Sequence, residues 1–160
     1  MNDDQLREQL VNLLIKRQAH MDFEDAVADF PPEEVNTRPP GCDYSFWQLI
    51  EHMRLAQRDI LEYIEAEEYR WPKWPDDYWP AREATSDFAG WHQTIAAFMD
   101  DRKRLVEIVS DPATDLMAPL PNSGEHGHTL LREIHVIASH NAYHTGELGI
   151  LRQVMGYWRS

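Results

Sequence analysis

The sequence contains one cysteine, few glycines and no run of residues apolar enough to cross a bilayer. Because Cys42 has no second thiol, an internal disulfide and a cysteine-based metal site are both excluded. Only 7 glycines occur in 160 residues, and 42% of the residues are hydrophobic, which suits a folded globular chain. No Asn-Gly or Asp-Gly pair separates strand-like runs, so the sequence gives no sign of β-hairpins.

Basic residues are also scarce, with 15 Lys and Arg against 28 Asp and Glu and a formal net charge of -13. Such a surface repels phosphate groups, so nucleic acid and anionic membranes are poor partners. The first residues, 1–8, have neither the basic region nor the apolar region of an export signal. We therefore expect a cytoplasmic protein.

The prolines divide the chain into four blocks. All 10 prolines fall within residues 31–40, 72–80 and 112–121, as expected of connectors between helices. The blocks between them place apolar residues at three- and four-residue spacing, which predicts amphipathic helices over residues 4–29, 45–64, 86–111 and 129–156. We therefore predict an all-α four-helix bundle that forms a single domain over residues 1–160.

Three histidines of the predicted helices have the spacing of a metal site. His140 and His144 lie four residues apart, so they share one helix face and can bind the same ion. His52 falls on the apolar stripe of the second helix and can face them. Three histidines would leave coordination positions open. Alternatively, they are core residues, because 8 histidines in 160 residues give roughly 0.4 such pairs by chance.

The other five histidines are not expected to bind the metal, and the sequence contains none of several known catalytic motifs. His20, His92, His126, His128 and His135 lie off the predicted face or in loops, and we interpret them as non-ligands. Asn141 follows His140 where a zinc protease motif has its glutamate, and neither a nucleophile elbow, a phosphate loop nor a Glu-x-x-His pair is present. One mononuclear ion is therefore expected.

Two stretches resemble a known family, the DinB-like proteins, also called DinB/YfiT-like metalloenzymes. They are residues 45–54 (SFWQLIEHMR) and residues 135–152 (HVIASHNAYHTGELGILR), and the likeness extends over nearly the whole chain. The resemblance implies a four-helix bundle, a homodimer and a metal bound by His52, His140 and His144. Some relatives look like transferases or isomerases that use bacillithiol, mycothiol or glutathione, while many have no known activity.

The leading hypothesis is a metal-dependent enzyme that activates a thiol or a water, most simply a thiol-dependent transferase. Imidazole ligands suit Zn, Ni, Cu and Fe, of which we expect Zn or Ni. A small thiol is expected as cofactor, because nothing in the sequence fixes Cys42 near the metal. The alternatives are a hydrolase that uses Glu125, His126 or His128 for proton transfer, and a non-catalytic module that the metal stabilises.

The sequence leaves open the role of an aromatic connector. The connector over residues 69–80 contains three tryptophans and two tyrosines, which could line an apolar substrate pocket, form a stiff lid or make a dimer contact.

Metal-bound histidines usually donate their other ring N–H to an acceptor. For His52 that acceptor could be the side chain of Gln48, one turn earlier, or a backbone carbonyl.

Overall fold

A computed structural model of the chain describes residues 3–158. It contains five α-helices and two short 3₁₀ turns, the turns spanning Pro32–Glu34 and Pro121–His126. The α-helices are α1 (Asp3–Ile15), α2 (Phe23–Val27), α3 (Phe46–Glu65), α4 (Phe88–Ser110) and α5 (Leu130–Met155). No β-strand occurs in this part of the chain, so the all-α prediction is confirmed.

Four of these helices surround one interior. α3 packs against both α4 and α5, and α1 packs against the same two helices, so α1, α3, α4 and α5 form a four-helix bundle. The short α2 lies against α5. This is the predicted architecture, and no helix of residues 3–158 combines the length and the apolar character that crossing a membrane requires.

The ends of α3, α4 and α5 follow the capping residues expected from the sequence. At the start of α3, the Ser45 hydroxyl accepts a hydrogen bond from the backbone N–H of Gln48 and the Gln48 side chain accepts one from the backbone N–H of Ser45, a complete capping box. Asp87 caps α4 in the same position. α5 ends at Gly156, whose φ of 72° is a left-handed conformation that favours glycine.

The prediction of one helix over residues 4–29 is wrong, because a non-helical segment separates α1 from α2. The Gln18 side chain donates hydrogen bonds to the carbonyls of Asn12 (3.1 Å) and Lys16 (3.4 Å), which satisfies acceptors at the end of α1. Asp22 then caps α2 by accepting a hydrogen bond from the backbone of Asp25. Side-chain bonds to the backbone therefore interrupt a stripe of apolar residues that continues across the break.

The bundle interior consists of two apolar clusters with polar groups at the level between them. One cluster includes Phe46 and Trp91, and the other includes Leu105 and Ile134. Between these levels lies Gln57, which is fully buried. Its amide N–H donates to the carbonyl of Phe98 on α4 (2.6 Å), and its oxygen accepts from the Asn141 side chain on α5 (3.0 Å). A single α3 side chain thus bonds to both neighbouring helices.

Candidate metal centre

His52 of α3 meets His140 and His144 of α5 inside the bundle. The Nε2 atoms of His52 and His140 are 3.1 Å apart, and one ring nitrogen from each of the three residues lies within 4.8 Å of the other two. His140 and His144 come from successive turns of α5, as their spacing predicted. The structure therefore brings together all three residues that the sequence singled out.

The connector after α3 fixes the ring of His52. Nδ1 of His52 lies 2.8 Å from the backbone carbonyl oxygen of Tyr78, and a carbonyl can only accept, so Nδ1 carries the proton and Nε2 keeps a lone pair. The ring of Trp79 stacks on the His52 ring with centroids 3.9 Å apart. Of the two acceptors considered for His52, the backbone carbonyl is the one found, since the Gln48 amide donates to carbonyls of residues 81, 82 and 84.

A carboxylate fixes the ring of His144. Nδ1 of His144 lies 2.7 Å from Oε2 of Glu147, one turn further along α5, and this leaves its Nε2 free to face the cluster. The other oxygen of Glu147 accepts a hydrogen bond from the hydroxyl of Tyr44. Burial by itself raises the pKa of Glu147, but the hydrogen bonds from His144 and Tyr44 outweigh burial and hold that pKa below its usual value. The carboxylate is therefore charged at neutral pH.

Burial keeps His52 and His140 in the neutral form that a metal ligand requires. It lowers the pKa of His140 to about 4, with further lowering by the neighbouring charges of His144 and His52. The pKa of His52 is also lowered, mainly by burial, although its bond to the Tyr78 carbonyl opposes the shift. Nδ1 of His140 is buried and has no hydrogen-bond partner in the part of the chain that the structure describes. Each of these two rings is ready to offer a lone pair at pH 7.

The donor set fits a divalent transition metal. Two imidazole nitrogens bound to one tetrahedral ion, each about 2.0–2.1 Å from it, lie about 3.3 Å apart, and the two Nε2 atoms of His52 and His140 are 3.1 Å apart. Nitrogen-only sets of this kind suit Zn, Ni, Cu and Fe. Among residues 3–158, no Cys, Asp or Glu adds a fourth ligand atom within 4.8 Å of all three histidines, so a bound ion would have room for a further ligand.

Two openings reach this centre. A cavity of about 230 Å³ lies beside His52 and His140 and is walled mostly by apolar surface, including Trp74 and Tyr78 of the connector. A wider, open groove follows the outer face of α5 and reaches His140 and His144. Both include Val136 and His140, so they meet at the histidines. The aromatic connector therefore does wall a pocket, one of the roles considered for it.

The other five histidines lie outside the cluster, in agreement with their interpretation as non-ligands. His126 and His128 stack on one another, with ring centroids 5.3 Å apart, and Nδ1 of His128 lies 3.0 Å from the Tyr63 hydroxyl. Nδ1 of His135 is 2.8 Å from the carbonyl oxygen of Leu131 within the same helix.

Sequence reasoning missed one residue at the centre, Glu147. Glu147 could have been found, because it lies three residues after His144 on the same helix. Cys42 lies in the loop before α3, and its half-buried side chain contributes to the raised pKa of the Tyr44 hydroxyl. That hydroxyl bonds to Glu147 on α5.

One of three comparisons with known proteins identifies a family for this chain. A family model described as the DinB superfamily matches residues 16–148, a range that includes His52, His140 and His144. A search of curated protein sequences and a search of solved structures found no match. Since the matched range covers most of the chain and the family is helical, as this structure is, the chain belongs to the DinB superfamily.

Proposed function

We propose that the chain binds one divalent transition metal ion, Zn or Ni, through His52, His140 and His144. One observation carries this proposal. The Nδ1 atoms of His52 and His144 are held by the Tyr78 carbonyl and by Glu147, so their Nε2 lone pairs face the same small space as His140. Such an ion supplies Lewis acidity and lowers the pKa of a bound thiol or water.

We propose further that the centre binds the thiol of a small cofactor, which a bound ion would activate, and that the protein transfers this thiol to a second substrate. The two openings that meet at His140 support a two-substrate reaction, because a thiol and an electrophile can approach from different sides. The sulfur would attack an electrophilic carbon of the second substrate. The bond from that carbon to its leaving group breaks, the leaving group departs with the electron pair, and the thiol proton is released to solvent.

The residues around the ligands have definite tasks in this scheme. Glu147 and the Tyr78 carbonyl hold the imidazoles in the protonation form that points Nε2 inward. The stacked ring of Trp79 covers one face of His52 and excludes water from it. Because His52 is 3% exposed, its environment has low polarity, in which charges interact more strongly than in water.

The structure gives less support to a hydrolase in which loop residues transfer protons. That alternative relied on Glu125, His126 and His128. His128 bonds instead to Tyr63, beside a different cavity. The non-catalytic alternative keeps its support, because an ion held by His52 and His140 would tie α3 to α5 and stabilise the bundle. Binding of a thiol to the metal distinguishes these functions.

We also propose that the chain forms a homodimer through α5. The outer face of that helix exposes Val136, Tyr143 and Ile150 at intervals of seven residues, followed by Val154. Apolar residues at this spacing favour packing against a parallel or antiparallel helix, and a second copy of the chain offers the same stripe. The groove that reaches His140 runs along this face, so a partner there would border the metal centre.

Elemental analysis of purified untagged protein tests the metal. Wild type and a His135→Ala control, which removes a histidine of α5 outside the cluster, should carry about one ion per chain, whereas His52→Ala and His144→Ala should carry little. If wild type holds no ion and takes up none from a Zn²⁺ or Ni²⁺ solution, the three histidines are core residues and the proposal is wrong.

Substitution with Co²⁺ then tests the thiol. Glutathione added to the Co²⁺ protein should produce a thiolate-to-metal charge-transfer band, and the band should be absent in His144→Ala. A loaded protein whose spectrum does not respond to glutathione, cysteine or any other small cellular thiol would favour the stabilising role or a bound water as nucleophile.

A further inference from the structure

A second cavity, of about 190 Å³, adjoins the one beside His52. The two cavities share Asp59, Ile60 and Tyr78, and the second extends from there to Tyr63, Trp71 and Glu133. The two cavities therefore lie side by side, and the second is here called the acidic pocket. The proposed metal chemistry assigns no role to it.

A buried carboxylate oxygen without a partner lies at the acidic pocket. Glu133 is 1% exposed. Its Oε1 accepts from Arg132 at 2.5 Å, but its Oε2 is buried and accepts no hydrogen bond from any group of residues 3–158. The free-energy cost of burying a hydrogen-bond acceptor without a partner is larger when the acceptor is charged than when it is neutral. Such unpaired groups are rare in native proteins, and each calls for an explanation. A ligand with an N–H donor would satisfy this oxygen.

Aromatic rings form the walls of the acidic pocket. The rings of Tyr63, Tyr69 and Trp71 lie 5.0–5.5 Å from one another, centroid to centroid, and are inclined by 60–76°. A corner of this kind offers ring faces, whose negative potential attracts cations. Asp59 adds a second carboxylate, held in place by hydrogen bonds from the hydroxyls of Tyr69 (2.5 Å) and Tyr78 (2.7 Å).

The charges at the acidic pocket favour one positive group. Asp59 and Glu133 line it together with Arg132 and His128. The Arg132 side chain is 48% exposed and bonds to one oxygen of Glu133, Oε1, which also lies 3.6 Å from Nδ1 of His128. The net charge of -13 over the chain adds a general attraction for cations.

From these contacts we infer that the acidic pocket binds the protonated primary amine of a small substrate, with the ammonium N–H donating to Oε2 of Glu133. The apolar stem of that substrate lies in the cavity beside His52 and leads its reactive end to the metal. The inference rests on the proposed function for the role of the reactive end, while amine binding itself requires no metal.

Binding of n-hexylammonium, measured by calorimetry and by quenching of tryptophan fluorescence, tests the inference. Hexan-1-ol is the neutral probe of equal length, and it should bind about tenfold more weakly or not at all, because it lacks the charge. The Glu133→Gln variant should lose about tenfold in affinity for hexylammonium. Equal affinity for amine and alcohol in wild type, or no binding of the amine, overturns the inference.

Two further variants make the result specific. Glu107→Gln removes the same charge from an exposed ion pair on α4 and should bind the amine as wild type does. Trp71→Ala changes a side chain that is 58% exposed, so it should fold even if Glu133→Gln does not, and it should also weaken amine binding. If Glu107→Gln lowers the affinity for the amine as much as Glu133→Gln or Trp71→Ala does, the amine is attracted to the acidic surface in general and the inference is wrong.

His144→Ala separates this inference from the proposed function. It should lose the metal and keep hexylammonium. Wild type that binds the amine but takes up no metal would refute the proposed function alone, whereas wild type that binds metal but no amine would refute the acidic pocket alone.

Discussion

Removing the carboxylate of Glu147 should weaken metal binding although Glu147 is not one of the proposed ligands. Its Oε2 lies 2.7 Å from Nδ1 of His144 and fixes the ring so that Nε2 faces the cluster. In Glu147→Ala the His144 ring can rotate and exchange its proton between the two nitrogens. Metal binding must then also restore the orientation of the ring, and this lowers the affinity. Partners of this kind are worth about 10- to 100-fold in metal affinity, or about 1.4–2.7 kcal/mol.

Two weaker substitutions should rank below Glu147→Ala. Glu147→Gln keeps an acceptor for His144 but loses the charge, so its loss should lie at the lower end of that range. Tyr44→Phe leaves the carboxylate in place, removes the hydrogen bond from the Tyr44 hydroxyl to Glu147 and should cost less than about tenfold in metal affinity. This order follows from the chain of contacts that runs from Tyr44 through Glu147 to His144.

Competition with a chromophoric zinc chelator at pH 7.5 measures these affinities. Glu107→Gln serves as the control for loss of a remote ion-paired glutamate. Thermal unfolding of the metal-free variants shows whether each remains folded. If folded Glu147→Ala binds Zn²⁺ as tightly as wild type, the bond between Glu147 and His144 does not position a ligand, and our account of the centre is wrong.

Two further predictions concern acid and assembly. The pKa of His140 is about 4 in the folded chain and about 6.5 when unfolded, so the unfolded chain binds more protons as the pH falls from 6.5 to 4. Metal-free protein should therefore lose about 2–3 kcal/mol of unfolding free energy over that range in urea titrations. The His140→Gln variant should lose less, and equal losses would contradict the assigned burial effect. For assembly, Ile150→Glu should convert a dimer to monomer in sedimentation velocity, while Glu107→Gln should not, and a wild-type monomer would refute the dimer.

Local signals in the sequence predicted most of the fold. The starts of α3, α4 and α5 were predictable because a side chain within the same few residues caps each helix, as Ser45 and Asp87 do. The break between α1 and α2 was missed because the bonds of Gln18 and Asp22 to the backbone leave no mark on the apolar periodicity. A periodic stripe indicates which face is buried and does not show where the helix ends.

The candidate site also has parts that the sequence predicted and parts that it did not. Helical spacing placed His140 beside His144, and the apolar stripe of α3 placed His52 opposite them. A backbone carbonyl was one of the two acceptors expected for His52, but the sequence could not show that it belongs to Tyr78, because the path of the connector brings that group to His52. The acidic pocket was equally hidden, since Glu133 and Trp71 come from segments far apart in the sequence and meet only when the bundle has formed.

The buried amide of Gln57 has a consequence for how the metal centre assembles. Its two hydrogen bonds, to Phe98 on α4 and to Asn141 beside His140, are made only when the three helices have their native register. A shift of α5 by one turn would leave these polar groups buried and unpaired. The bundle is thus held in alignment by its own side chains, and the histidines are preorganised before any ion arrives. In small zinc domains the metal supplies the folding energy, whereas here the ion should be able to leave and be replaced while the bundle stays folded.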